Sequence, residues 1–412
     1  MGDDHPHLLS MPIVVASLTS AFALMPGATC PDGNPQASRR IWGDGLPLRW
    51  GSVALGVLVA ASLLAINTWD LPAAMAVVVV AAAWPACGVG APRRLVERTA
   101  VLAMVALAVT GVVFAPYLAS VQSPVQGVRP NLWYPTPLGE FLTMFGALLP
   151  GVALLVWLAW LEDPLPLGQT ARAAGALVLA ALSFLMASAV WSAFTDAGRA
   201  WMAAVAPGIE RPLAIVLARW VRGWPVLVLG VAGAAAIGSL LRARLARGSG
   251  AAVGLSFGLL LAGVGLGLVL VPELAYVHDV FATRMNTVFK FYYQAWLYFA
   301  VAGALAVVMA WQRGDATRSA ALAVLGISAC GLVYPVAAIG TVISGASGTS
   351  RSLDALVSIR QERPDTWAAI EWVRGHTPPD AVIALAPGTS YRLDESLLST
   401  ATGRPTLRMA GP

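Results

Sequence analysis

The sequence predicts an all-α polytopic membrane protein of about ten transmembrane helices, with a small extracytoplasmic α/β segment at its C-terminal end. Three observations lead there. Hydrophobic residues make up 58% of the 412 residues and charged residues 11%, with a mean hydropathy of +0.73. Soluble domains carry about twice that share of charge. Apolar runs of about 17 to 25 residues, the length a helix needs to cross a bilayer, recur along the chain. After Gly340 the composition turns polar and stays so.

Ten runs fit a span: Leu8 to Met25, Ser52 to Trp69, Pro72 to Val89, Thr99 to Leu118, Leu138 to Leu161, Ala173 to Trp191, Trp224 to Leu241, Ala251 to Val271, Ala295 to Trp311 and Ala320 to Gly340. Alternate connections hold unequal positive charge. One set contains twelve arginines: Arg39, Arg40, Arg49, Arg93, Arg94, Arg98, Arg172, Arg242, Arg244, Arg247, Arg313 and Arg318. The other holds seven cations: Arg129, Arg199, Arg211, Arg219, Arg222, Arg284 and Lys290. The richer set is expected in the cytoplasm. The segments around Asp3, Asp70, Tyr117 to Pro137 and Arg284 then face outward. Pro212 to Trp224 reads as an amphipathic helix lying in the interface, with Arg219 and Arg222 beside Trp220 and Trp224.

The expected domains are a membrane domain over 1–340, a linker over 341–352 and a partial α/β domain over 353–412. In the last, Pro364 suits the first turn of a helix with Trp367, Ile370 and Val373 at helical spacing, and a strand is expected over Ala381 to Ala386. The net charge of +5 is scattered between apolar runs, which excludes nucleic acid as a partner. The three cysteines lack metal or redox spacing, and the start lacks the basic segment of a signal peptide.

The most informative stretch is Arg284 to Gln294. Lys290 is the sole lysine among 26 basic residues, which points to a need for a compact ammonium. In a helix, Asn286, Lys290, Tyr293 and Gln294 share one face, and Met285, Phe289, Tyr292 and Trp296 another. Ionisable groups at membrane depth are functional by default. An interfacial anchor, with Lys290 snorkelling to water, is the plainer alternative. His278 and Asp279 stand just upstream, so one loop carries a base, a carboxylate and two cations suited to a phosphate.

Two further groups draw attention. Asp3, Asp4, His5 and His7 cluster before the first span, which suits a divalent metal held by Asp3, His5 and His7, acid/base work, or a solvated terminus. Asp70 precedes Leu71-Pro72 and fits a helix cap first, a site carboxylate second.

Arg284 to Gln294, read with Asp3 to His7 and Asn67 to Pro72, closely resembles the YYY membrane protein family of chloroflexi and archaea, whose function is unassigned. Phe114 to Tyr117, Gln122 to Gly127, Thr136 to Leu138 and Ser399 to Thr406 extend the resemblance nearly end to end. That family looks like a branch of the GT-C glycosyltransferases, polytopic enzymes with an outward site and lipid-phosphate sugar donors. The resemblance implies catalysis by Asp3, Asp4, His5, His7 and Asp70. It also implies substrate or phosphate binding by Arg284, Asn286, Lys290, Tyr293, Gln294, His278 and Asp279. The chain is expected to be truncated at both ends, with the principal catalytic carboxylate outside it. The implied setting is a prokaryotic plasma membrane with the C-terminal segment outside. Two other readings stay open, a secondary transporter and a non-catalytic envelope assembly protein.

Overall fold

A computed structural model describes residues 6–25, 47–84, 91–121, 125, 127–165, 167–205, 212–247, 253–279, 283–345, 354, 356–385 and 393–408. In chain order the first elements are α1 (Pro6–Leu24), α2 (Pro47–Ala61), α3 (Leu63–Ile66), α4 (Leu71–Ala83), α5 (Ala91–Val113), α6 (Ala115–Ser120) and β1 (Val128–Pro130). The central ones are α7 (Leu138–Phe145), α8 (Leu149–Glu162), α9 (Leu167–Phe194), α10 (Asp196–Val205), α11 (Pro212–Arg247), α12 (Val253–Leu274), β2 (Ala275–Val277), α13 (Met285–Arg313) and α14 (Asp315–Cys330). The rest are α15 (Val333–Gly345), α16 (Val357–Glu362), α17 (Pro364–His376), β3 (Ile383–Leu385), α18 (Leu393–Thr402) and β4 (Thr406–Arg408).

Each of the ten apolar runs carries helix among its described residues. Among the described residues, seven helices are long and apolar enough to cross a membrane. An eighth span results if Leu138–Phe145 and Leu149–Glu162, bent by 81° at a short break, count as one. The bend follows from the local sequence: Gly146 closes the first helix through its N–H to Leu142 O (2.7 Å), and Pro150 opens the second. Trp50–Ile66 and Leu71–Ala83 are shorter apolar helices, the former interrupted at Ser62. The protein is thus an integral, multi-pass membrane protein.

The chain divides into two compact units, the larger of them Asp3–Leu332. Its centre is α13, which packs along α12 and α8. Small side chains permit this. Ala295, Ala302, Ala306 and Ala310 are fully buried on one stripe, and a Cβ added at Gly151 would lie 2.8 Å from Gly303 Cα, so α8 and α13 touch backbone to backbone. Between these contacts Tyr298, Phe299 and Phe145 fill the interior. The outer faces of α5 and α9 remain apolar and exposed, as lipid-facing helices require.

A two-stranded antiparallel ribbon, β1 with β2, joins the connection before α7 to the segment before α13. Asn131, fully buried, continues the joint: its N–H donates to Leu274 O (2.7 Å) and its amide to Pro272 O (2.9 Å). One expectation fails here. Pro212 to Trp224 does not form a separate interfacial helix but opens the continuous α11, which runs on through Pro225. Tertiary contacts override the proline: Gly223 packs on Pro135, where a Cβ would meet the ring at 2.2 Å, and Trp220 Nε1 donates to Leu132 O (3.1 Å).

The second unit comprises Val333–Pro412. In it β3 and β4 pair in parallel across α18. Arg404 ties the unit together by donating to Thr377 O (2.7 Å), Thr402 O (2.8 Å) and Arg374 O (3.0 Å). Ile370 and Val373 of α17 are buried, while Trp367 carries Arg360 over its ring at 4.3 Å.

Candidate functional site

The first turns of α1 place His7 and Ser10 on one face, three residues apart. Opposite them stands the tight turn Asn67 to Asp70 between α3 and α4. Asp70 occupies the capping position of α4 but makes no capping hydrogen bond. Its carboxylate turns inward instead. Oδ2 accepts from Ser10 Oγ and from Asn67 Nδ2 (2.9 Å), and Oδ1 lies 3.4 Å from His7 Nδ1. Asn67 Nδ2 also meets His7 Nδ1 at 2.7 Å. Asp70 Oδ1 accepts no hydrogen bond among the described residues. All four side chains are buried, Asp70 to 2% exposure.

The motif helix α13 closes the third side. Tyr293 and Phe289 pack on the His7 ring with centroids 5.4 and 5.5 Å away. Gln294 Nε2 donates to Trp69 O (2.8 Å), fixing the turn that carries Asp70. Lys290 Nζ sits 5.2 Å from the centre of the Trp69 ring, within electrostatic reach of Asp70 and Asp279. Further along the same face, Gln294 Oε1 and the hydroxyl of the fully buried Tyr298 have no hydrogen-bond partner among the described residues.

Arg284 belongs to a different group. Its Nη1 donates to Glu273 Oε1 (2.8 Å) and its Nη2 to Thr136 Oγ1 (2.8 Å). Glu273 has no exposed surface and also accepts from the Thr136 N–H (2.9 Å) and hydroxyl, with Tyr292 OH 3.3 Å away. Asn286 donates to Asp279 Oδ2 (2.5 Å). His278 is held by its backbone N–H on Gly127 O (2.8 Å), and its Nδ1 is without a partner among the described residues. Beside this ribbon, burial pushes the Tyr276 phenol above its ordinary pKa.

A cavity of about 670 Å³ is lined by Arg284 of the second group and by Phe289, which packs on His7. Trp133, Tyr134, Glu140, Arg219, Arg222 and Arg284 supply its polar side, and Met285, Val288 and Phe289 an apolar wall. Phe289 is shared between this wall and the packing on His7. Arg219 donates to Trp133 O (2.7 Å) and lies over the Trp133 and Tyr134 rings at 5.4 and 5.5 Å.

The structure thus gathers His7, Asp70, Lys290, Tyr293 and Gln294, separates Arg284 into an internal ion pair, and ties Asn286 to Asp279. Asp3, Asp4 and His5 lie outside the described residues. Two of the three expected metal ligands are among them. Among the described residues no three His, Cys, Asp or Glu side chains are grouped to hold a metal ion. Ser10, Glu273 and Thr136 were not singled out by sequence. Glu273 had a signal: a lone carboxylate closing the apolar run Ala251 to Val271 needs a cation, and Arg284 is the next one along the chain. Tyr292 turns inward to Thr136 and Phe145 and leaves the face of Met285, Phe289 and Trp296, which stay exposed.

Residues 1–299 match the model of a family described as uncharacterized membrane protein (DUF2298). No curated protein and no solved structure matches the chain.

Proposed function

The chain belongs to the DUF2298 family of uncharacterized membrane proteins, and on that premise we propose that it is a membrane glycosyltransferase of the GT-C kind. It moves a sugar from a polyprenyl-phosphate donor to an acceptor hydroxyl on the outer face of a prokaryotic plasma membrane. The observation that carries this is the convergence of α1, the Asn67 to Asp70 turn and α13 on one buried carboxylate, next to a cavity lined by arginines. The excess of arginine in the opposite connections supports an outward orientation for this end of the bundle, and for the C-terminal segment.

In the reaction, the acceptor oxygen bonds to the anomeric carbon while that carbon's bond to the phosphate oxygen breaks. The bonding pair leaves with the lipid phosphate, and the acceptor's proton passes to Asp70 Oδ1. Ser10 and Asn67 hold the carboxylate by Oδ2 and leave Oδ1 without a hydrogen bond among the described residues. Lys290 stands within electrostatic reach of Asp70. A positioned base of this kind contributes about 10²–10⁴ in rate.

Full-length protein in membranes, supplied with labelled polyprenyl-phosphate sugar, tests the assignment. Asp70→Asn keeps the hydrogen-bonding shape and is expected to lower transfer at least about hundredfold at unchanged abundance. Wild-type turnover by Asp70→Asn would remove Asp70 from the chemistry. A secondary transporter is the second reading, favoured by one observation: Asp70 Oδ1, Gln294 Oε1 and Tyr298 OH are buried oxygens without hydrogen bonds among the described residues, the kind of group that binds coupling ions. It requires solute accumulation that depends on an ion gradient and is lost in Asp70→Asn, with no transfer from the labelled donor.

A further inference from the structure

We infer that the cavity beneath α11, through Arg222 and Arg219, seats the phosphate headgroup of the lipid substrate, a role that Arg284 and Lys290 of the motif do not fill. This deepens the transferase assignment and rests on it for the headgroup being a donor's.

The motif cations are already engaged. Arg284 gives its two terminal nitrogens to Glu273 and Thr136, so its charge is matched by a carboxylate with no exposed surface. Lys290 lies over Trp69 with Asp70 and Asp279 nearby, surroundings that already supply negative charge. Arg222 differs. It is exposed on the cavity side of α11 and has no ion pair or hydrogen bond among the described residues. Arg219, one helical turn away on the same face, uses a terminal nitrogen on Trp133 O and stacks on two rings, which fixes its position while leaving further N–H donors. Guanidinium groups match phosphate bidentately. With Arg284 matched by Glu273, the cavity sets two arginines, Arg219 and Arg222, against one carboxylate, Glu140, so its polar side is net positive.

The opposite wall selects the rest of the ligand. Met285, Val288 and Phe289 are apolar, and Met285 and Phe289 are 58% and 45% exposed. They stand at the start of α13 and Arg219 and Arg222 near the start of α11, all lining the one cavity, and both helices are long enough to span a bilayer. A phosphate among the arginines therefore has a hydrocarbon-compatible surface directly beside it. Free phosphate would leave that surface bare. The volume of about 670 Å³ exceeds the need of a phosphate and falls in the range of about 300–1,000 Å³ typical of small-molecule sites. That leaves room for a sugar against Trp133, Tyr134 and Glu140.

Full-length protein in phosphatidylcholine nanodiscs, titrated with radiolabelled polyprenyl monophosphate, inorganic phosphate and uncharged polyprenol, tests this by equilibrium binding. Polyprenyl monophosphate is expected to bind at least about tenfold more tightly than either of the other two, equivalent to about 1.4 kcal/mol. Arg222→Gln should weaken it by about tenfold or more and Arg222→Lys should restore most of the affinity, since a charge-assisted contact is lost only in the first. Arg222 has no ion pair or hydrogen bond among the described residues, so an unchanged elution profile and melting point in Arg222→Gln are expected alongside. Unchanged lipid affinity in Arg222→Gln would overturn the seat. Equal binding of inorganic phosphate, or of polyprenol, would overturn the lipid phosphate as ligand. Binding needs no turnover: tight, Arg222-dependent binding in a protein that transfers nothing keeps this inference and sinks the transferase, while transfer with Arg222-independent binding does the reverse.

Discussion

At Asp70 the choice between capping a helix and taking part in chemistry is decided by the direction of the carboxylate. The position was legible as a cap because Leu71-Pro72 follows it. The side chain leaves that role for Ser10 and Asn67, partners that no local pattern could reveal since one of them is 60 residues away. Arg284 shows the converse. Its place in a dense motif suggested a ligand for phosphate, and the decisive partner, Glu273, belongs to the end of the preceding helix. Removing one member of a buried ion pair strands the other, at a cost of about 3–5 kcal/mol, whereas removing both is far milder. Arg284→Met is therefore expected to lower the thermal unfolding midpoint of detergent-solubilised protein substantially, and Glu273→Gln combined with Arg284→Met to recover most of the loss. A double variant no better than the single one would show that the two residues do not act as a pair.

Helix existence was written plainly in the apolar runs, and each of the ten carries helix among its described residues. Helix ends and breaks were not. Hydropathy responds to composition, but the break between α7 and α8, the interruption at Ser62 and the continuation of α11 through Pro225 depend on single backbone bonds and on what packs against them. The close approach of α8 and α13 at Gly151 and Gly303 likewise needs two glycines that face each other only after folding. Gly151→Leu would force these backbones apart, and overpacking of this kind costs about 1–3 kcal/mol or more. A lower melting point and loss of monodispersity on size exclusion are expected, and a wild-type profile would show that the helices do not meet there. Gly223→Val acts elsewhere: it should lift α11 from Pro135, weaken binding of polyprenyl monophosphate, and leave the α8 and α13 contact intact.

For the molecule as a membrane protein, the distribution of arginine makes a directional statement that can be checked in cells. With the native cysteines removed, a cysteine at Glu362 is expected to react with an impermeant maleimide in intact cells, and one at Asp315 only after permeabilisation. The reverse pattern would turn the chain over and place Asp70 on the cytoplasmic side. That the regions near residues 7, 70 and 290 would meet was anticipated only through resemblance, because periodicity orders residues along one helix and does not say which helices are neighbours. The β1 and β2 ribbon bears on how the cavity is held together. Asn131, the ribbon and the Thr136, Glu273 and Arg284 cluster bind the Trp133 connection to the segment before α13 by several separate bonds. On the cavity's other side, α11 is held at this level by Gly223 on Pro135 and by two side-chain bonds from Arg219 and Trp220. The positions of Arg219 and Arg222 at the cavity thus depend on these three contacts together with the helices packed on α11.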